Sequence, residues 1–165
     1  MSRILASPAV AFRRLTSSEL EVEFIAAILG PADWICRELW IREAVRRKLF
    51  GVGTLERFLR QAVGSNDARE SLGQKLASDR LVRSYRASKR PLSKQLLDRM
   101  ARVAEVVVHA RRVFDSPLDA DAFLTRPQRQ LRGRRLIEVA VTLAGQEAVF
   151  KLLDAVRSDS KAAGS

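Results

Sequence analysis

Residues 93–114 read SKQLLDRMARVAEVVVHARRVF, and their spacing decides the fold class. Leu97, Met100, Ala104, Val107 and Arg111 fall on successive turns of one face, and Leu96, Val103 and Ala110 widen that stripe. Apolar residues repeating every 3.6 positions over so wide an arc make a helix with neighbours on several sides, so this segment is expected to be the central helix. The same period dominates the rest of the chain. No stretch alternates apolar and polar residues long enough to argue for a sheet, and the prediction is an all-α protein.

Upstream, Gly30-Pro31 separates a helix near 18–29 from a second near 33–50, which Gly51-Val-Gly53 is expected to end. A third helix starts at Thr54, whose hydroxyl is a candidate N-cap, and stops before Gly64; Asp67 is expected to cap the next. Downstream, Ser116-Pro117-Leu-Asp119 combines a hydroxyl cap, a proline at the first helical position and a carboxylate at the positive end of the dipole. That short helix should end near Thr125, followed by a basic connection over 126–133, a helix over 134–143, a break near Gly145 and a last helix over 146–156. Gly133 and Gly145 sit at predicted boundaries, where a left-handed or very close backbone favours glycine. Thr142 is placed to set its hydroxyl against a nearby carbonyl. The resulting division is a flexible N-terminus (1–17), a helical part (18–92), a second helical part (93–156) and a flexible tail (157–165).

The chain has 165 residues, 47% hydrophobic and 30% charged, which suits a folded protein with one compact core or two small helical units packed together. No apolar run approaches the ~20 residues needed to cross a bilayer, so a cytoplasmic location is expected. Cys36 has no partner cysteine and is expected to be a buried thiol. The net charge of +11 is uneven: residues 1–102 carry 20 Lys and Arg against 11 Asp and Glu, residues 103–165 carry 10 against 8. A basic half concentrates phosphate polymers through counterion release; the alternative is a solvated arginine-rich surface.

Residues 68–88, ARESLGQKLASDRLVRSYRAS, read as two short helices around a tight turn at Ala77-Ser78, the spacing of a helix-turn-helix. Leu72, Leu76, Leu81 and Tyr85 would pack inward. Arg80, Arg83 and Arg86 would share an outward face suited to the paired acceptors of guanine in operator DNA, with Lys75, Ser84, Lys89 and Arg90 placed for phosphates. A solvent-facing amphipathic helix would show the same pattern.

Residues 113–156, VFDSPLDADAFLTRPQRQLRGRRLIEVAVTLAGQEAVFKLLDAV, hold Val113-Phe114, Ala122-Phe123-Leu124, Pro127, Leu131, Gly133, Thr142-Leu-Ala-Gly145, Val149 and Leu152-Leu153 in order. This order and spacing resemble the toxin-binding domain of the Xre/ParS/MbcA-type antitoxins of type II toxin–antitoxin systems, over roughly residues 96–156. The resemblance implies an antitoxin that neutralises an NAD-consuming toxin, of RES or ADP-ribosylating type, and represses its own operon through an N-terminal DNA-binding part. It further implies that the end of the domain, from Leu152 onward, obstructs the toxin's NAD cleft, where Arg157 or Lys161 can meet carboxylates; a solvated tail is the other possibility. Phe123, Leu152 and Leu153 are the apolar candidates for toxin contact. Where the family commonly has Trp, Pro and a late Gly, this chain has Phe123, Leu136 and the ending Arg157-Ser-Asp.

Nothing points to catalysis. His109 is the only histidine and lies mid-helix, so it completes no nucleophilic triad; Asp115, Asp119 and Asp121 belong to a helix start. There is no glycine-rich phosphate loop, metal-ligand spacing or dinucleotide fingerprint, and no catalytic residue, cofactor or metal is assigned. The expected partners are a cognate toxin protein and operator DNA, with no membrane. The competing readings are a stand-alone transcriptional regulator and an adaptor for an acidic protein. Trp34 and Trp40, with Ile41, Val45 and Phe50, form either a homodimer face or internal core; a dimer would suit a palindromic operator.

Overall fold

The computed structural model describes residues 16–29 and 34–163. Among them are nine α-helices: α1 (Ser17–Leu29), α2 (Trp34–Arg47), α3 (Val52–Ala62), α4 (Asn66–Leu76), α5 (Asp79–Ser88), α6 (Lys94–Val113), α7 (Pro117–Thr125), α8 (Leu136–Val139) and α9 (Leu143–Ala163). One 3-10 turn, Arg129–Leu131, and one isolated bridge between Pro127 and Arg135 interrupt the helices. The protein is all-α, as its periodicity predicts.

The 93–114 stretch forms the hub. Ser93 Oγ accepts a hydrogen bond from the Leu96 amide at 3.3 Å, which starts α6, and the helix then runs for 20 residues, about 30 Å. Helices α1 to α4 and α7 to α9 all pack against it. Its apolar arc is so wide that Leu96, Leu97, Met100, Val103, Ala104, Val106, Val107 and Ala110 are all buried. One hydrophobic cluster therefore runs from Phe24 to Leu153. Helix α5 is the peripheral one, resting on α3.

At the N-terminal end, the phenyl ring of Phe24 stacks on Phe50 at 4.5 Å and tilts against Trp40 at 6.4 Å. Trp40, Ile41 and Phe50 are buried and Val45 is half-buried, so the candidate dimer face made by these residues is internal core. The side chains of Trp34 and Cys36, the Gly30-Pro31 break and the N-terminus before Thr16 lie outside the described residues. Helix α1 starts with a reciprocal cap that the sequence spells as Thr16-Ser-Ser-Glu19: the Thr16 hydroxyl accepts from the Glu19 amide at 3.4 Å, and the Glu19 carboxylate accepts from the Thr16 amide at 2.8 Å. The Thr16 hydroxyl, which also donates to that carboxylate at 2.7 Å, and then the Thr16 amide hold the Glu19 carboxyl below its usual range.

Several expected boundaries move. Helix α2 ends at Arg47, before Gly51, because Lys48 takes a left-handed conformation (φ 53°). Thr54 does not cap α3: Gly51 holds the cap position without a side chain, while Thr54 is buried and its amide bonds to the Gly51 carbonyl at 3.0 Å. Ser65, not Asp67, caps α4, since a residue two places earlier can reach the Ala68 amide. The helix expected over 134–143 is reduced to the single turn of α8, and α9 starts before Gly145. Thr142 explains that start: its hydroxyl accepts from the Gly145 amide at 3.1 Å and donates to the Val139 carbonyl at 3.3 Å. The tail expected to be disordered continues α9 to Ala163, because no Gly or Pro intervenes; the Ser158 and Ser160 hydroxyls bond the carbonyls four residues back, within the helix.

Candidate functional site

The C-terminal unit is assembled on the second half of α6. Phe114 and Phe123 pack with centroids 5.1 Å apart, closing α7 onto the end of α6 under a Ser116 cap with Pro117 at the first turn. The chain then folds back on itself: the Gln128 amide bonds to Arg134 O at 3.0 Å, the Gly133 amide to Gln128 O at 2.9 Å, and Arg132 and Gly133 are both left-handed (φ 56° and 77°). Glycine is required at 133 by that angle and at 145 by contact. A Cβ on Gly145 would lie 1.8 Å from the Val139 carbonyl oxygen, so α9 crosses the end of α8 at a distance only glycine permits.

Helix α9 presents two unlike faces. Val149 and Leu153 are fully buried, and Gln146, also buried, donates to the Glu105 carboxylate on α6. His109 is half-buried against Phe150 at 5.2 Å, and its Nε2 is 3.1 Å from Asp154 Oδ1, so it ties α6 to α9. On the outer face lie Ala144, Ala148, Lys151 and Ala155, beside half-buried Leu152 and Leu143, which is 62% exposed. Leu118, 79% exposed on α7, is the most exposed large apolar side chain among the described residues and was not singled out from the sequence, where nothing separates it from a core leucine.

These placements sort the toxin-contact candidates. Leu152 and Phe123 are half-buried and reachable; Leu153 is core; Arg157 and Lys161 stand exposed on the last turns of α9.

The two halves of the chain are clamped together by a polar cluster with no local sequence signature. Asp67, Ser71 and Lys75, four residues apart, form one stripe of α4. Opposite them, Arg135 pairs with Asp67 and, at 3.2 Å, with Glu138, whose carboxylate also accepts from the Ser71 hydroxyl at 2.6 Å. Glu138 is 8% exposed, so removing its guanidinium leaves a nearly buried carboxylate short of a charged partner. Replacing Arg135 with Met is expected to cost about 1–3 kcal/mol, measured by denaturant unfolding; an unchanged midpoint would mean the cluster is only a surface contact.

Residues 68–88 form the two helices expected, joined at Ala77-Ser78, with Leu72, Leu76 and Tyr85 buried and Leu81 half-buried. On α5, Arg80 and Arg83 are exposed and carry no ion pair among the described residues. Arg86 instead reaches sideways to Glu56 on α3 at 2.7 Å. Arg90 lies over the Tyr85 ring at 5.8 Å and donates to Ser84 Oγ at 2.9 Å, which occupies the Ser84 hydroxyl. Lys89 is the left-handed cap of α5, and Lys75 is exposed on α4.

Part of the positive charge is structural. Arg69 donates to the carbonyls of Val63 and Gly64 and Arg111 to that of Gln61, at the end of α3; Arg99 donates to Leu76 O at the end of α4, and Arg102 to Val141 O. A cationic donor suits the negative end of a helix. Such pairings span up to 50 residues and leave no sequence trace.

Among the described residues no helix is long and apolar enough to cross a membrane. No curated protein matches the chain. Residues 109–158, from the second half of α6 through most of α9, match the family model described as the antitoxin Xre/MbcA/ParS C-terminal toxin-binding domain. Over that stretch the chain is similar to the toxin-binding domain of that antitoxin family, a domain that implies a toxin protein as partner.

Proposed function

We propose that this protein is an antitoxin that binds and neutralises an NAD-consuming toxin, of RES or ADP-ribosylating type, and represses its own operon by binding DNA. The single observation that carries the reading is the toxin-binding domain at residues 109–158 with one face of its last helix uncovered. In this reading residues 93–156 dock the toxin through Leu143, Ala148 and Leu152 on α9. Small side chains there let a partner's backbone approach closely, and Arg157 and Lys161 on the following turns face the toxin's acidic cleft. The protein binds and does not catalyse. It acts in the cytoplasm, where both operator and NAD are found.

Residues 18–92 are assigned to the operator, with α5 entering the major groove. Arg80 and Arg83 read base edges; Lys75, Lys89 and Arg90 contact phosphates, while Arg86 joins them only when released by Glu56. Ser84, engaged by Arg90, positions that guanidinium. Exchanging both Arg80 and Arg83 for Ala is expected to weaken operator binding by about 2–6 kcal/mol, at about 1–3 kcal/mol for each lost bidentate contact. A mobility-shift titration checks it, and unchanged affinity would remove α5 from the groove.

The test of the whole reading is co-expression with the product of the adjacent gene. Co-purification of the two proteins is expected, with loss of cellular NAD when the companion is expressed alone and its preservation when both are present. A chain that retained no companion and rescued no cells would leave the second reading, a stand-alone DNA-binding transcriptional regulator, which the unpaired Arg80 and Arg83 favour.

A further inference from the structure

Between Asp121 and Glu138 the chain has no acidic residue and five arginines, Arg126, Arg129, Arg132, Arg134 and Arg135. Arg135 is consumed by the clamp on Asp67 and Glu138. The other four are exposed, and none has a carboxylate partner among the described residues; Arg134 Nε donates to the Leu131 carbonyl of its own loop. Several arginines elsewhere behave differently, since Arg42, Arg46, Arg47, Arg86 and Arg111 all meet acids. We propose that the connection 126–135 is a second DNA-contacting surface, which grips the phosphate backbone of the duplex that α5 reads.

Three observations carry this. Four uncompensated guanidiniums within nine residues repel one another, and an external polyanion relieves that repulsion while releasing counterions. The backbone that presents them is fixed, with a 3-10 turn, a bridge from Pro127 to Arg135 and two left-handed residues, so little ordering is left to be lost on binding. The clamp also sets the place. Arg135 holds the connection against α4, and Lys75 of α4 lines the same open cavity of about 440 Å³ as Arg134. Glu138 also lines it, but its carboxylate is engaged by Ser71 and Arg135. The basic stretch is thus joined to the helix that precedes α5, where a duplex lying on α5 has its flanking phosphates. Contacts of this kind fix register and carry no base preference.

The inference rests on the reading that the chain binds duplex DNA, and its test separates the two. The full-length protein is titrated with operator duplex and with a scrambled duplex over a series of salt concentrations. Variants are R126Q/R129Q/R132Q/R134Q, the same four positions as Lys, and R80A/R83A. The Gln variant is expected to lose roughly 10- to 100-fold on both duplexes alike, with the slope of log affinity against log salt smaller by about 3–4. The Lys variant keeps the slope, which excludes misfolding as the cause. R80A/R83A loses its preference for the operator but keeps most of the slope. An unchanged slope in the Gln variant, with R80A/R83A still impaired, overturns the inference and leaves operator reading by α5 intact. A Gln variant that binds DNA normally yet releases the toxin assigns the surface to the toxin and also overturns it. A wild-type protein that binds no duplex even at low salt rejects DNA binding itself.

Discussion

Gly145→Ala is expected to lower the melting temperature by roughly 6–12 °C, taking about 3 kcal/mol for overpacking and 2–4 °C per kcal/mol at this chain length. In most helices the exchange of Gly for Ala stabilises, by about 1 kcal/mol. Here the added carbon would sit 1.8 Å from the Val139 carbonyl oxygen and 2.7 Å from its carbonyl carbon, and both are backbone atoms that cannot rotate away. Helix α9 must then lift from α8, and the Thr142 cap, whose hydroxyl lies 2.8 Å from the same point, is lost with it. Gly53 is the control. It lies inside α3 with open space around it, so Gly53→Ala is expected to stabilise by up to about 1 kcal/mol. Thermal unfolding of the two variants decides it, and equal shifts would mean that the α8–α9 crossing is looser than the geometry requires.

The second large effect separates docking from folding on α9. Leu153→Ala removes a fully buried side chain and is expected to cost about 2–5 kcal/mol, loosening α9 from α6 and with it any grip on the toxin. Ala148→Glu changes an exposed position on the outer face of α9, and should leave stability within about 0.5 kcal/mol. If the outer face of α9 docks the toxin, Ala148→Glu abolishes co-purification and rescue while the protein melts normally. Rescue at the wild-type level by Ala148→Glu would move the docking face elsewhere, towards Leu118 and Phe123.

The extent to which the fold is legible in the sequence follows from the range of each signal. The central position of α6 is readable because its apolar arc, Leu96 to Ala110, is wider than one neighbour can cover. The cap of α7 is readable because Ser116 and Pro117 act within three residues of themselves. The start of α9 is misread because Gly145 carries two opposite meanings in sequence, a helix break or a close contact, and only the position of Val139 chooses between them. Arg86 fails for a related reason. Its helical phase places it near Arg80 and Arg83, but Glu56, thirty residues earlier, draws it aside.

By itself the sequence determined that the protein is all-helical, that residues 113–156 follow the order of an antitoxin toxin-binding domain, and that positive charge gathers toward the N-terminal part. Each of these depends on local periodicity, spacing or a sum over composition, which need no partner in space. Only the tertiary structure decided which apolar residues of α9 are core and which are surface, and that Trp40 and Phe50 fill the interior. It alone fixed which arginines cap helix ends, which pair with acids and which stay free. Those outcomes turn on contacts between residues tens of positions apart, such as Arg135 with Asp67 and His109 with Asp154, where chain order carries no information about distance.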